Sequence, residues 1–174
     1  VYVKAGVSGG DGTSWERAFG TVEDGVAACS NYGDMDLWIA EGEYVLKDYL
    51  TLKKGVNMYG GFVGNETKLK DRDMSKKSVL KAAPANTWSS IYAYDQTDEC
   101  YVDGFVFTGS VSSQGLGTIE AYDNWVFRNC IITGNNTTRD AGGYFSKCKL
   151  YNCLIYGNNS ICLLYTSDAA DEAR

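Results

Sequence analysis

Tyr59-Gly-Gly61-Phe62, Val102-Asp-Gly104-Phe105, Phe127-Arg-Asn129-Cys130 and Leu150-Tyr-Asn152-Cys153 are four versions of one block. Each has an apolar residue, a free position, Gly or Asn, and a second apolar residue. The spacings between them are 43, 25 and 23 residues. Gly and Asn enter the left-handed backbone region with the least strain, so Gly61, Gly104, Asn129 and Asn152 read as one recurring structural bend. In this register Tyr59, Val102, Phe127 and Leu150 point inward before the bend, and Phe62, Phe105, Cys130 and Cys153 point inward after it.

After the bend come Phe105-Val-Phe107-Thr-Gly109, Cys130-Ile-Ile132-Thr-Gly134 and Cys153-Leu-Ile155-Tyr-Gly157, short runs rich in β-branched and aromatic residues and closed by Gly. A helical repeat of this length would need apolar residues every three to four positions, and they are absent. Short strands stacked one coil above the next, about 4.8 Å apart, pair every backbone group and bury one apolar column. The expected fold is all-β, a parallel β-solenoid. Cys130 and Cys153 then stack as small hydrophobes on consecutive coils, with no disulfide between them.

The first part of the chain has another task. Thr21 and Asp24 come close to a capping box, and Val22, Val26 and Cys29 follow at helical spacing, which predicts an amphipathic helix over about 21–30. Laid across the first coil, it covers the open end of the column and an unpaired strand edge. At the other end, Cys162-Leu-Leu-Tyr-Thr-Ser-Asp-Ala-Ala-Asp-Glu172 matches one reading frame of a common transposase sequencing adapter in reverse complement. Residues 162–174 are therefore expected to be non-native, with the continuation of the β-helix missing. The expected division is 1–34 for the N-terminal strand, loop and capping helix, 35–161 for the coils, and 162–174 for the tail.

Of 174 residues, 16 are Lys or Arg and 22 Asp or Glu, a net charge of −6. An acidic balance with no basic cluster argues against nucleic-acid binding, and no apolar run reaches membrane-spanning length. The mixed-charge stretch 68–77 reads as a solvated lateral loop. There is no histidine, which removes Ser-His-Asp and Cys-His chemistry and most zinc catalysis.

Asp11-Gly-Thr-Ser-Trp15 with Ala18-Phe19, Gly33-Asp34, Trp38-Ile-Ala-Glu-Gly-Glu-Tyr44 and Met58-Tyr-Gly-Gly-Phe62-Val-Gly-Asn-Glu66 follow in an order that resembles the N-terminal part of pectin-lyase-like β-helix proteins. The resemblance is to the secreted and surface group of Bacteroidota-type bacteria. Cys130-Ile-Ile-Thr-Gly-Asn135 with Ala141-Gly-Gly143 is similar to repeats of polymorphic outer-membrane and adhesin-like proteins. The resemblance implies a right-handed, single-stranded parallel β-helix with an N-terminal capping α-helix, exported to the cell surface or beyond. It does not imply one activity, since the family holds lyases, hydrolases and non-catalytic surface proteins.

A second repeat marks the candidate site. Ile91-Tyr-Ala-Tyr94-Asp95 and Ile119-Glu-Ala-Tyr122-Asp123 lie 28 residues apart. Stacked, Tyr94 and Tyr122 offer a surface for a sugar ring, while Asp95 and Asp123 form a paired acidic site open to calcium. Glu120 falls on the opposite face from Ala121 and joins this set only doubtfully. The expectation is a structural, adhesive or glycan-binding surface domain whose partner is a polysaccharide or cell-surface glycan. The alternative is the N-terminal part of a lyase or glycoside hydrolase acting on acidic polysaccharide.

Overall fold

The computed structural model of the chain describes residues 1–32, 35–84, 88–94, 98–140 and 142–160. Three long sheets run the length of the molecule, and every strand pairing within them is parallel. The first holds Tyr2–Val3, Met35–Ala40, Val56–Phe62, Cys100–Asp103, Trp125–Arg128 and Lys149–Tyr151. The second holds Gly42–Val45, Ser78–Lys81, Phe105–Thr108, Ile131–Thr133 and Leu154–Tyr156. The third holds Leu50–Leu52, Ile91–Ala93, Ile119–Tyr122 and Tyr144–Ser146, and Asn136–Thr137 pairs with Asn159–Ser160 beside them. From Met35 onward the chain visits the three sheets in turn and returns one coil further along. That is a parallel β-solenoid.

Alternation along each strand builds the column inside. Leu37, Met58, Val102 and Phe127 line up from the first sheet, Tyr44, Leu80, Phe107 and Ile132 from the second, and Leu50, Ile91 and Ile119 from the third. All are buried in one cluster. Each such side chain contributes about 1.5–3 kcal/mol on burial, and this non-local packing replaces the single thick core of a globular domain.

The bend residues form a row. Gly61, Gly104, Asn129 and Asn152 have φ of 83°, 90°, 52° and 52°. The amide of Gly104 donates to the carbonyl of Arg128 at 3.0 Å, and that of Asn129 to Tyr151 at 3.0 Å, so the bends are stitched coil to coil. Side chains repeat the stitch: Asn152 Nδ2 donates to Asn129 Oδ1 at 2.7 Å, and Asn129 Nδ2 to Asp103 Oδ1 at 2.8 Å. In the first block the register differs from the expected one. Met58, not Tyr59, lies opposite Val102, Tyr59 lies opposite Asp103 on the outer face, and Phe62, expected inside, stacks on Trp38 at 4.7 Å in a separate cluster outside the column. The reason is an extra residue: Trp38 pairs with Tyr59 but Ala40 with Phe62, a bulge accommodated by Gly60 and Gly61.

Both ends of the expected helix are close to their predicted places. The helix runs Val22–Tyr32, Thr21 Oγ1 accepts from the Asp24 amide at 3.2 Å, and Val22, Val26 and Cys29 are buried against the first strands. The stretch 68–77 is less solvated than its composition suggests. Arg72 inserts its guanidinium against Asp103 at 3.1 Å, with side-chain exposures of 12% and 8%, donates to the carbonyls of Leu69 and Gly60, and lies over the rings of Tyr59 and Phe62. One arginine thereby pins a lateral loop to the coils. Cys130 is buried, Cys153 half-buried, and both are free thiols in stacked positions, the Leu154 amide donating to the Cys130 carbonyl at 2.9 Å.

A Cβ on Gly104 would meet the Gly60 carbonyl oxygen at 3.1 Å with φ already at 90°. Gly104→Val is therefore expected to destabilise by about 1–3 kcal/mol or more. Val111→Ala, at a residue 49% exposed in the adjoining loop, is expected to stay within about 0.5 kcal/mol. Urea unfolding of the two variants measures the difference.

Candidate functional site

Ile91–Ala93 and Ile119–Tyr122 pair in register, Ile119 with Ile91, Glu120 with Tyr92 and Ala121 with Ala93. Ile and Ala point into the column, so Tyr92 and Glu120 must point out, and Tyr94 and Tyr122 follow them on the same face. The outer face of the third sheet is consequently aromatic. Tyr49 meets Tyr92 edge-on at 5.2 Å between centroids, Tyr92 stacks on Tyr94 at 5.6 Å, Tyr94 on Tyr122 at 5.0 Å, and Tyr122 leans on Tyr144 at 5.4 Å.

Glu120 organises this ladder. Tyr94 and Tyr122 donate their hydroxyls to Glu120 Oε1 at 3.2 and 3.0 Å, and Ser89 donates to Oε2 at 3.2 Å. Glu120 as a whole is only 9% exposed, and among the described residues it has no ion-pair partner. A buried charge of this kind is held by its hydrogen-bond donors. The effect on the phenols is reciprocal. Burial, then the hydrogen bond to Glu120 and its charge, push Tyr122 up to about 12, and burial followed by the Glu120 charge moves Tyr94 upward as well.

The expected pair Tyr94 and Tyr122 is brought together, but each ring covers a face of the other. What remains open to solvent is beside them: Tyr49 and Trp88 are 47% and 48% exposed and, with Thr51, Tyr92 and Tyr94, line a groove of about 390 Å³. Asp123 lies just past the strand in a left-handed turn, φ 47°, and pairs with Lys147 at 3.2 Å. Asp95 lies outside the described residues. Among the described residues no group of three His, Cys, Asp or Glu side chains is placed to hold a metal ion, and no helix is long and apolar enough to cross a membrane.

Tyr49, Trp88 and Tyr92 were not legible as site residues, and Glu120 only doubtfully so. Tyr49 and Trp88 sit outside the repeat, and Glu120 occupies its free position. The outward parity of Tyr92 and Glu120 was the available signal. No protein-family model, curated protein or solved structure matches the chain.

A raised phenol pKa means that folding favours the neutral ring. That stability is present below the ordinary tyrosine value of 10.0 and is lost as pH rises through about 12. Ultraviolet titration of the phenols is expected to show a class ionising well above 10.0. In Glu120→Gln part of that class moves down, because the carboxylate's charge is gone while burial remains. An unchanged titration curve would remove Glu120 from the ladder.

Proposed function

We propose that this chain is a non-catalytic β-solenoid scaffold that contacts glycans through the aromatic outer face of its third sheet. The observation that carries this reading is the groove beside the ladder, lined by the exposed Trp88 and Tyr49 together with Thr51, Tyr92 and Tyr94. Flat aromatic faces beside hydroxyl groups suit sugar rings, whose C–H faces pack on aromatics while their hydroxyls seek polar partners. A rigid sheet holds these groups in place with little ordering on binding.

Location outside the cell or on a bacterial surface belongs to the same proposal. It rests on the order of N-terminal motifs that resembles pectin-lyase-like surface proteins. A calcium ion shared by Asp95 and Asp123 is likewise a proposal, supported by the repeated Tyr-Asp pair and set against the Lys147 ion pair that already neutralises Asp123. Thermal melting with calcium or chelator tests it: a calcium-dependent rise that disappears in Asp95→Asn with Asp123→Asn supports the ion, and identical curves remove it.

Affinity electrophoresis through gels containing soluble polysaccharides tests the glycan contact. Retardation by at least one polysaccharide, weakened about tenfold or more in Trp88→Ala, is the expected outcome. Unretarded migration in every gel would leave a scaffold without glycan contact, and unsaturated products released from a uronan would promote the lyase alternative.

A further inference from the structure

We infer that the groove of Tyr49, Thr51, Trp88, Tyr92 and Tyr94 selects uncharged glycans and disfavours uronates and other acidic sugars. The inference rests on the glycan reading above and adds the charge of the ligand. All five lining side chains are neutral. One coil further along the same face, next to Tyr92, sits the Glu120 carboxylate, hydrogen-bonded to Tyr94 at 3.2 Å and lacking an ion-pair partner among the described residues.

A charge satisfied by hydroxyl donors is still a charge. Ser89, Tyr94 and Tyr122 share it through hydrogen bonds without cancelling it, and low-dielectric surroundings carry its field into the groove. A uronate carboxylate brought onto the Trp88 or Tyr49 ring would meet a like charge across Tyr94. The rim offers little relief. Lys53 follows the strand Leu50–Leu52 but is exposed, and Asp48, whose Oδ1 accepts the Tyr49 amide at 2.8 Å, is exposed as its acidic counterpart. Lys147, one coil further, is already paired with Asp123. A neutral pyranose meets none of this repulsion: its apolar face lies on Trp88 or Tyr49, and its hydroxyls reach Thr51 and Tyr92.

The same geometry places a reporter in the site. Trp88 is 48% exposed and lines the groove, whereas Trp15 and Trp125 are buried and Trp38 is half-buried, stacked on Phe62 away from the groove. The test is a fluorescence titration of the full chain with neutral hexasaccharides (cellohexaose, xylohexaose, mannohexaose) and with hexagalacturonate, at low and at high salt. At low salt at least one neutral probe is expected to bind about tenfold or more tighter than hexagalacturonate, with the gap narrowing at high salt as the charge is screened. Glu120→Gln narrows it without salt, and the salt dependence decides the matter even if that variant does not fold. Equal or tighter binding of hexagalacturonate overturns the selection for neutral sugars and leaves glycan contact standing. No binding by any probe overturns both.

Discussion

Coil-to-coil register is the constraint on which everything else in this protein depends. It is set at the bend, where Gly104, Asn129 and Asn152 hold positive φ one above another and the amides of Gly104 and Asn129 donate to the coil that follows. A strand that slipped by one residue would turn every inward side chain outward. With the bends fixed, Val102 and Phe127 can only stack inside, and Ala93 and Ala121 likewise. The Asn129–Asn152 side-chain bond extends the lock beyond the backbone, and Asp103, held by both Asn129 and Arg72, ties the lateral loop to the same row.

The aromatic face is a by-product of that register. Two small alanines facing inward leave Tyr92, Glu120, Tyr94 and Tyr122 facing outward on neighbouring coils, close enough for rings to stack and for two phenols to reach one carboxylate. The carboxylate orders the rings, and the rings bury the carboxylate. Neither would hold its position alone: an unpaired Glu120 would seek water, and unanchored tyrosines would lose rotamer order. The groove lies at the edge of this ordered patch, where Trp88 and Tyr49 stay open.

Much of the fold was legible because its signals repeat. The Gly or Asn between two apolar residues recurs at each coil, and Thr21 with Asp24 announces the helix that closes the end. The misplaced residues were Tyr59 and Phe62, since a Gly60-Gly61 pair admits a bulge that spacing alone does not reveal. Arg72 was hidden differently. In a run of alternating charges nothing marks which one turns inward, and only the fold brings Asp103 within reach. The site was half legible: the Ile-x-Ala-Tyr-Asp repeat located Tyr94 and Tyr122, whereas Glu120 is a single residue at a free position, meaningful only once the tyrosine hydroxyls are seen to converge on it.

Nuclear Overhauser contacts in protein labelled at alanine methyls and tyrosine rings test the account most directly, because one register places both the core and the face. The account predicts close contact between the Ala93 and Ala121 methyls, both fully buried, together with contact between the Tyr94 and Tyr122 rings. An Ala121 methyl that meets Ile91 in place of Ala93, as an antiparallel pairing would require, or Tyr94 and Tyr122 rings with no contact between them, would contradict it.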